Sequence, residues 1–431
     1  MAREGQEEMS KLEKLLANLC PNGVEYKKLG DVAEKITDGM HNLPTEIVAE
    51  GGYPIISAQN VDGGKISFKT GKFVSKEVFD VENKRTNVQK GDVLLTIVGA
   101  IGRVAIVSCD EKFLCQRSLC VIKLRKNQIT SEFLRYVLES EPVQRFMTTN
   151  AHGAAQKGLY LEQVAKIEIP VPPLEVQEEI VRILDAFTEL TAELTAELRA
   201  RQQQYEHYRD ALLSFDDVNN KLRTGGVTGK AVAWKTLGEI ATITRGGSLQ
   251  KKDFAESGVP CIHYGQIYTR FGLFTDKSLT FISADAAKKQ KFAEPNDIVM
   301  AVTSENIEDV CKCVAWLGNE KAAVSGHTAI IHHNQNAKYL SYYFHTSKFF
   351  EQKRKLAHGT KVIEVTPDKL ADIKVPVPSL AEQKRIVAIL DRFDSLVNSI
   401  SEGLPAEIEA RRKQYEFYRD KLLSFKRVEV A

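Results

Sequence analysis

The sequence predicts an α+β protein: two mixed α/β modules with β-rich cores, separated by an intramolecular antiparallel coiled coil of two long helices. Three observations carry that expectation. First, one long segment is written twice, as IEIPVPPLEVQEEIVRILDAF…QYEHYRDALLSF (Ile167 to Phe215) and IKVPVPSLAEQKRIVAILDRF…QYEFYRDKLLSF (Ile373 to Phe425), an offset of 373 − 167 = 206 residues. Nine of the last eleven positions are identical, and the copies differ by one helical turn in length. Second, each copy carries an apolar seam of alternating four- and three-residue steps, the coiled-coil spacing. Third, the stretches before the two copies share short apolar runs and landmarks while diverging in between. A chain that repeats its spacers but varies what lies between them holds two different modules in one geometry.

The elements follow in order. Met9, Leu12, Leu15, Leu16 and Leu19 recur at helical spacing, an amphipathic helix ended by Pro21-Asn22-Gly23, within an N-terminal segment 1–26. The first module, 27–166, opens on YKKLGDVA and continues through YPII, DVLLTIV, RVAIV and CVIKL, β-type runs separated by Gly, Asn and Asp. A helix is expected from about Ser131 to Met147, with Phe133, Leu134, Val137 and Leu138 on one side.

The first spacer helix occupies 167–215, with its seam on Ile180, Leu184, Phe187, Thr191, Leu194, Leu198, Arg201, Tyr205, Tyr208, Leu212 and Phe215. Residues 216–233 are polar and Gly-rich and read as a flexible linker. The second module, 234–372, repeats the order: WKTLGEIA echoes the opening, Pro260 matches Pro54, Asp297 matches Asp92, His358-Gly359 matches His152-Gly153, and a helix is expected from about Ala337 to Leu356. The second spacer helix, 373–425, opens on the capping box Ser379-x-x-Glu382. Its seam runs through Ile386, Leu390, Phe393, Val397, Ile400 and Leu404 and slips by one residue to Ile408, a stutter at which Gly403 and Pro405 should break or kink the helix. A short tail, 426–431, follows.

The bulk numbers exclude little. Lys and Arg total 59 against 57 Asp and Glu, a net charge of +2, so any nucleic-acid role rests on local patches or on partner chains. No run approaches a membrane span, and the charged N-terminus lacks an apolar signal core, so a cytoplasmic protein is expected. Seven cysteines include no CxxC pair; Cys311 and Cys313 form a lone CxC, so no metal site is expected. Catalytic signatures are missing together. There is no (N/D)PP(Y/F) loop of an adenine methyltransferase, since Val171-Pro172-Pro173-Leu174 lacks the polar first residue, and no convincing PD…ExK nuclease pattern. GGVTGKA (Gly225 to Ala231) lacks the spacing and hydroxyl of a phosphate-binding loop.

PVPPLEVQEEIVRIL and PVPSLAEQKRIVAIL, together with YKKLGDVAEKITDG, GDVLLTIVGAIGRVAIV and HGAAQKGL, resemble the DNA-specificity subunit of type I restriction–modification enzymes over nearly the whole chain. The resemblance implies two target-recognition domains, each reading one half of a split asymmetric DNA site, and no catalysis by this chain. It implies as partners two adenine-N6 methyltransferase subunits and motor–nuclease subunits, which would hold S-adenosylmethionine, ATP and magnesium; this chain would hold no cofactor. The tandem Thr191-Ala-Glu-Leu194 and Thr195-Ala-Glu-Leu198 is similar to the spacer-length unit of one branch of that family. Four residues add roughly 6 Å of helix, one or two base-pair steps. An autonomous methyltransferase or nuclease with unrecognised motifs, and a coiled-coil scaffold unrelated to DNA, are the alternatives.

Base readout needs Arg or Lys for guanine and Asn or Gln for adenine on loops. In the first module the candidates are Asp38, His41, Asn42, Ser57, Gln59, Asn60, Arg103, Gln116, Arg117, His152, Gln156 and Lys157. In the second they are Arg245, Gln250, Lys251, Lys252, His263, Tyr264, Gln266, Tyr268, Arg270, Ser304, Asn306, His327, Thr360 and Lys361. Lys251 and Lys252 read as phosphate contacts. His152 and His358, each before Gly, read as a shared turn.

Overall fold

A computed structural model describes residues 2–44, 47, 51–125, 127–153, 157–215, 232–398 and 403–428. The chain divides into two compact units, Met1–Leu194 with Ile408–Ala431, and Thr195–Glu407.

The first unit is built on an antiparallel sheet in the order Ala33–Asp38, Leu119–Leu124, Val93–Thr96, Val104–Ile106. Its registers include Cys120↔Asp38, Ile122↔Val93 and Leu94↔Ala105. Alternate residues along each strand feed two cores. Val93, Leu95, Val104, Cys120 and Ile122 pack with the helical Phe133, Leu134 and Val137. Leu94, Ala105, Leu119 and Val121 pack on the other face with Ile56, Val61 and Phe113. Burial on both faces explains why DVLLTIV reads as an unbroken apolar run rather than an alternating one. A smaller sheet of Phe73–Val74, Tyr53–Ile56 and Leu114–Cys115 stands beside it, and Tyr26–Lys28 pairs with Glu168–Pro170.

The second unit repeats the plan with more strands. Ala241–Arg245, Thr328–His333, Ile298–Ala301, Cys313–Trp316 and Phe274–Thr275 form one sheet. Phe254–Ala255, Thr280–Ile282, Val259–Ile262, Ala322–Val324 and Lys291–Ala293 form another. Ile298, Met300, Ala315 and Ile331 face one core, and Val299, Ala301, Val314 and Ile330 the other.

The helices depart from expectation in one respect. Each module's single predicted helix is two: Ser131–Glu139 and Glu141–Thr149 in the first, Ala337–Tyr343 and Ser347–Leu356 in the second. Ser140 and Thr346 adopt extended backbone at the breaks. Pro142 accounts for the first break: it has no N–H to donate and its ring would clash with the carbonyl four residues back, so one helix cannot run through it, whereas the first turn of a new helix accepts it. At the second, the Thr346 side chain accepts the Phe349 N–H as an N-cap.

The N-terminal helix, Ala2–Leu19, buries Leu12 against the first unit's core and ties Lys11 to the buried Glu179 at 2.6 Å, while Leu19 faces solvent. Leu174–Ser214 is one uninterrupted helix of 41 residues, roughly 62 Å at 1.5 Å per residue. The boundary between the units falls between its two TAEL copies. Along its seam Ile180, Leu184, Tyr205 and Leu212 are buried, Thr191, Leu194 and Leu198 half-buried, and Arg201 exposed. The last repeat is two helices, Leu380–Asn398 and Gly403–Leu422, the second starting at a Gly403 with φ +80°. Ile400 and the linker residues 216–231 lie outside the described residues. Ser379 caps the first of these helices through the Glu382 N–H, and the Glu382 carboxylate grips Arg385 at 2.8 Å.

Each unit seats a spacer end in the same way. In the first, Phe187 stacks on Tyr418 at 5.6 Å, Asp420 accepts the Glu141 N–H at 3.1 Å, and the Tyr136 hydroxyl bonds Asp185. In the second, Tyr208 stacks on Phe393 at 5.6 Å, Asp210 accepts the Ser347 N–H at 3.1 Å, and Tyr342 bonds Asp391 at 2.7 Å.

Candidate nucleic-acid interface

In both modules the loops gather at one end of the main sheet on a shared backbone frame. Asp38 pairs in register with Cys120, and Arg245 with Ala329, so the two occupy the same place at the end of the opening strand. A glycine follows each, Gly39 and Gly246, and there the chain passes so close that a Cβ would lie 2.0 Å from the Cys115 carbonyl oxygen in one and 2.0 Å from that of Ser325 in the other. Only a residue without a side chain permits that approach. The next bonds also match: Ile97 N–H to Ser118 O in the first module, Val302 N–H to His327 O in the second.

His152 and Gly158 exchange two backbone bonds at 2.9 and 2.8 Å, and His358 and Glu364 exchange two at 3.0 and 2.8 Å. Gly153 and Gly359 turn these loops with φ of +122° and +109°, the region that favours glycine. The two histidines therefore close the same turn through their backbones.

On the frame the decoration differs. In the first module Asp38, its side chain 13% exposed, holds Arg85 and receives His41 at 2.8 Å. Arg85 comes from the end of helix Lys76–Thr86 and also donates Nε to the Asp38 carbonyl at 3.0 Å. Loop 39–42, with exposed Asn42, meets Gln116 and Arg117 through the Met40 N–H to Cys115 O and Arg117 N–H to Met40 O bonds. Gln116 N–H reaches Ile56 O, and the Ser118 hydroxyl accepts the Ala58 N–H at 3.0 Å, which brings in the 57–60 turn. There Ser57 and Asn60 are engaged: Asn60 Oδ1 accepts the Ser57 N–H, and its amide donates to Ser67 and Lys69 carbonyls. Gln59 is exposed. Lys157 O accepts the Gly99 N–H at 3.3 Å and its side chain is exposed. Arg103 lies aside on Val61 O and Asp62, and Gln156 falls outside the described residues.

In the second module a linked polar set forms. Arg245 donates Nε to Gly326 O at 2.9 Å and Nη1 to Glu364 at 2.7 Å. The strand Ile363–Glu364 pairs with Thr303–Ser304, and Thr303 Oγ1 meets His327 Nδ1 at 3.1 Å. The His327 ring lies 4.8 Å from that of Tyr264, which lies 4.5 Å from His263. Tyr268 donates to Thr303 O at 2.6 Å, its hydroxyl pushed up in pKa by burial. Burial, then nearby Lys251 and His327, holds His263 below the usual histidine range. Thr360 and Lys361 are exposed on the hairpin that carries Glu364, and Lys252 and Arg270 are exposed as well.

Three candidates build turns instead. Gln266 Oε1 accepts the His263 N–H, the Gln250 N–H reaches Asp253 at the cap of the Lys251–Asp253 turn, and Asn306 exchanges bonds with Asp309. Sequence reasoning missed Arg85, Ser118, Thr303 and Glu364, each joined to the face by a partner far along the chain.

Two copies of a loop-bearing face on a common frame, decorated differently, define a recognition protein. Residues 21–201 and 231–410 match the model of the type I restriction modification DNA specificity domain, and the chain belongs to that family of non-catalytic specificity subunits, which recognise DNA sequence. The specificity subunit of the type I restriction enzyme EcoR124I/EcoR124II of Escherichia coli is 40% identical over 281 residues, 62% of this chain and 65% of that one. A putative type I restriction enzyme specificity subunit of Haemophilus influenzae is 29% identical over 96% of this chain and 98% of its own length. Among solved structures, a chain from a study of complex assembly and conformational transition in the type I R-M system shares the fold, with a TM-score of 0.62 at 21% identity, covering 95% of this chain and 99% of that chain.

Proposed function

We propose that this specificity subunit recognises a bipartite, asymmetric DNA site, each module reading one half-site and the spacer helices fixing the gap. The observation that carries the reading is the inversion at one frame position: a carboxylate, Asp38, in the first module and a guanidinium, Arg245, in the second. The inversion changes which groups the face offers, Arg85 and His41 held by Asp38 in the first module and Arg245 in the second, and different groups select different base edges, so the half-sites differ. The spacer is an antiparallel helix pair in this reading. The uninterrupted helix Leu174–Ser214 supports it, as do Phe187 on Tyr418 in one unit and Tyr208 on Phe393 in the other, where one partner's number rises as the other's falls. The TAEL tandem is its ruler.

The partners are two adenine-N6 methyltransferase subunits and motor–nuclease subunits, which supply S-adenosylmethionine, ATP and magnesium; the complex acts in the cytoplasm. No described helix is long and apolar enough to cross a membrane. Mapping methylated adenines in DNA from cells carrying this chain with its methyltransferase partner tests the proposal. Methylation confined to one split asymmetric motif is expected. Methylation in a continuous motif, or none beyond that of cells lacking this chain, refutes it.

A further inference from the structure

We infer that Arg245 reads a guanine in the second half-site and that Glu364 is the positioning residue that aims it; the inference rests on the proposed DNA reading of this module. The guanidinium is fixed on two edges, by Gly326 O at Nε (2.9 Å) and by Glu364 at Nη1 (2.7 Å). Glu364 is itself fixed, because its backbone pairs with Thr303 on one side and His358 on the other. Arginine has five N–H donors. Two are engaged here, which leaves one on Nη1 and both on Nη2, the outer edge of the fork, on a side chain still 43% exposed. Guanine O6 and N7 accept that kind of planar pair of donors.

The ion pair makes little sense as a stability device, since exposed pairs contribute next to nothing. It makes sense as an orienting one. A carboxylate at Nη1 also offsets the charge that a phosphate would seek, which favours directed hydrogen bonds over backbone attraction. The first module builds the complementary arrangement: there the strand end supplies the carboxylate, Asp38, and the guanidinium of Arg85 arrives from a helix, its side chain 48% exposed. Each module thus presents one clamped arginine, entering from a different element.

The test is selection by the full-length chain, in its methyltransferase complex, from duplexes randomised across both half-sites. The parent protein should enrich one bipartite motif with a guanine at a defined position of one half. Arg245→Gln should erase that preference, a loss of about tenfold to hundredfold in discrimination, and leave the other half-site unchanged. Glu364→Gln should blunt the same preference, and Glu364→Asp should restore part of it; melting curves matching the parent's show that these variants fold. A uniform loss of affinity in Arg245→Gln, with the salt slope reduced by about one, marks a phosphate contact and overturns the inference. A parent motif that Arg245→Gln leaves intact overturns it while sparing the proposed function. Enrichment of no split motif by the parent protein brings down both.

Discussion

Acidification should destabilise the second unit through two histidines held neutral by burial. His345 donates Nδ1–H to the Ser341 carbonyl at 2.8 Å, and its ring faces the cations Arg209, Lys353 and Lys312. His333 accepts the Gln335 N–H at 3.2 Å, and its buried Nε2 has no hydrogen-bond partner among the described residues. Burial pushes both rings down to about 4 from an ordinary 6.5. The folded state therefore binds fewer protons than the unfolded chain between pH 6.5 and 4, so stability is fully present above that window and is lost as pH falls through it. Between pH 7 and pH 5 each ring should cost about 2 kcal/mol, about 4 kcal/mol for the pair. Asp297 and Asp394, whose carboxyls burial raises, act in the opposite sense as pH falls towards the ordinary aspartate range. Both tryptophans, Trp234 and Trp316, lie in the second unit, so their fluorescence reports its urea unfolding. The parent's midpoint should drop between pH 7 and 5, and the double variant His333→Gln, His345→Gln should lose most of that dependence. An equal drop in the double variant refutes the assignment.

Three further outcomes follow from named contacts. Gln383, fully buried, accepts the Asn336 N–H at 2.9 Å and donates to Pro378 O at 3.0 Å. Gln383→Leu strands both groups and should cost about 2–4 kcal/mol in urea unfolding. Alanine at Lys251 and Lys252, exposed on a short turn, should weaken binding to every duplex alike and lower the salt slope by about one per contact. A third TAEL unit after Leu198 should lengthen the preferred gap by one or two base pairs on a panel of duplexes, from roughly 6 Å of added helix.

The scaffold was legible because it is periodic and repeated. The DVLLTIV and NDIVMAV strands, the HG turns and the seam from Ile180 to Leu212 declare themselves through local pattern alone. The helix breaks at Ser140 and Thr346 went unread because apolar spacing continues across both, although their signals are local: Pro142 in the first turn of the new helix, and the Thr346 hydroxyl that accepts the Phe349 N–H. The proposed recognition face was half legible. Loop position exposed Asp38, Arg245 and His327, but Arg85 and Glu364 join them across 47 and 119 residues of chain, and pairing at that separation leaves no mark in local sequence. Asn60 and Asn306 misled for the converse reason: side chains suited to base edges suit turns equally well.

The most direct trial of two independent readers is exchange of residues 27–166 for the matching module of a relative with a different target, followed by mapping of methylated adenines. The account predicts a new first half-site with the second half-site and the gap unchanged. Alteration of both halves together, or of neither, would contradict it.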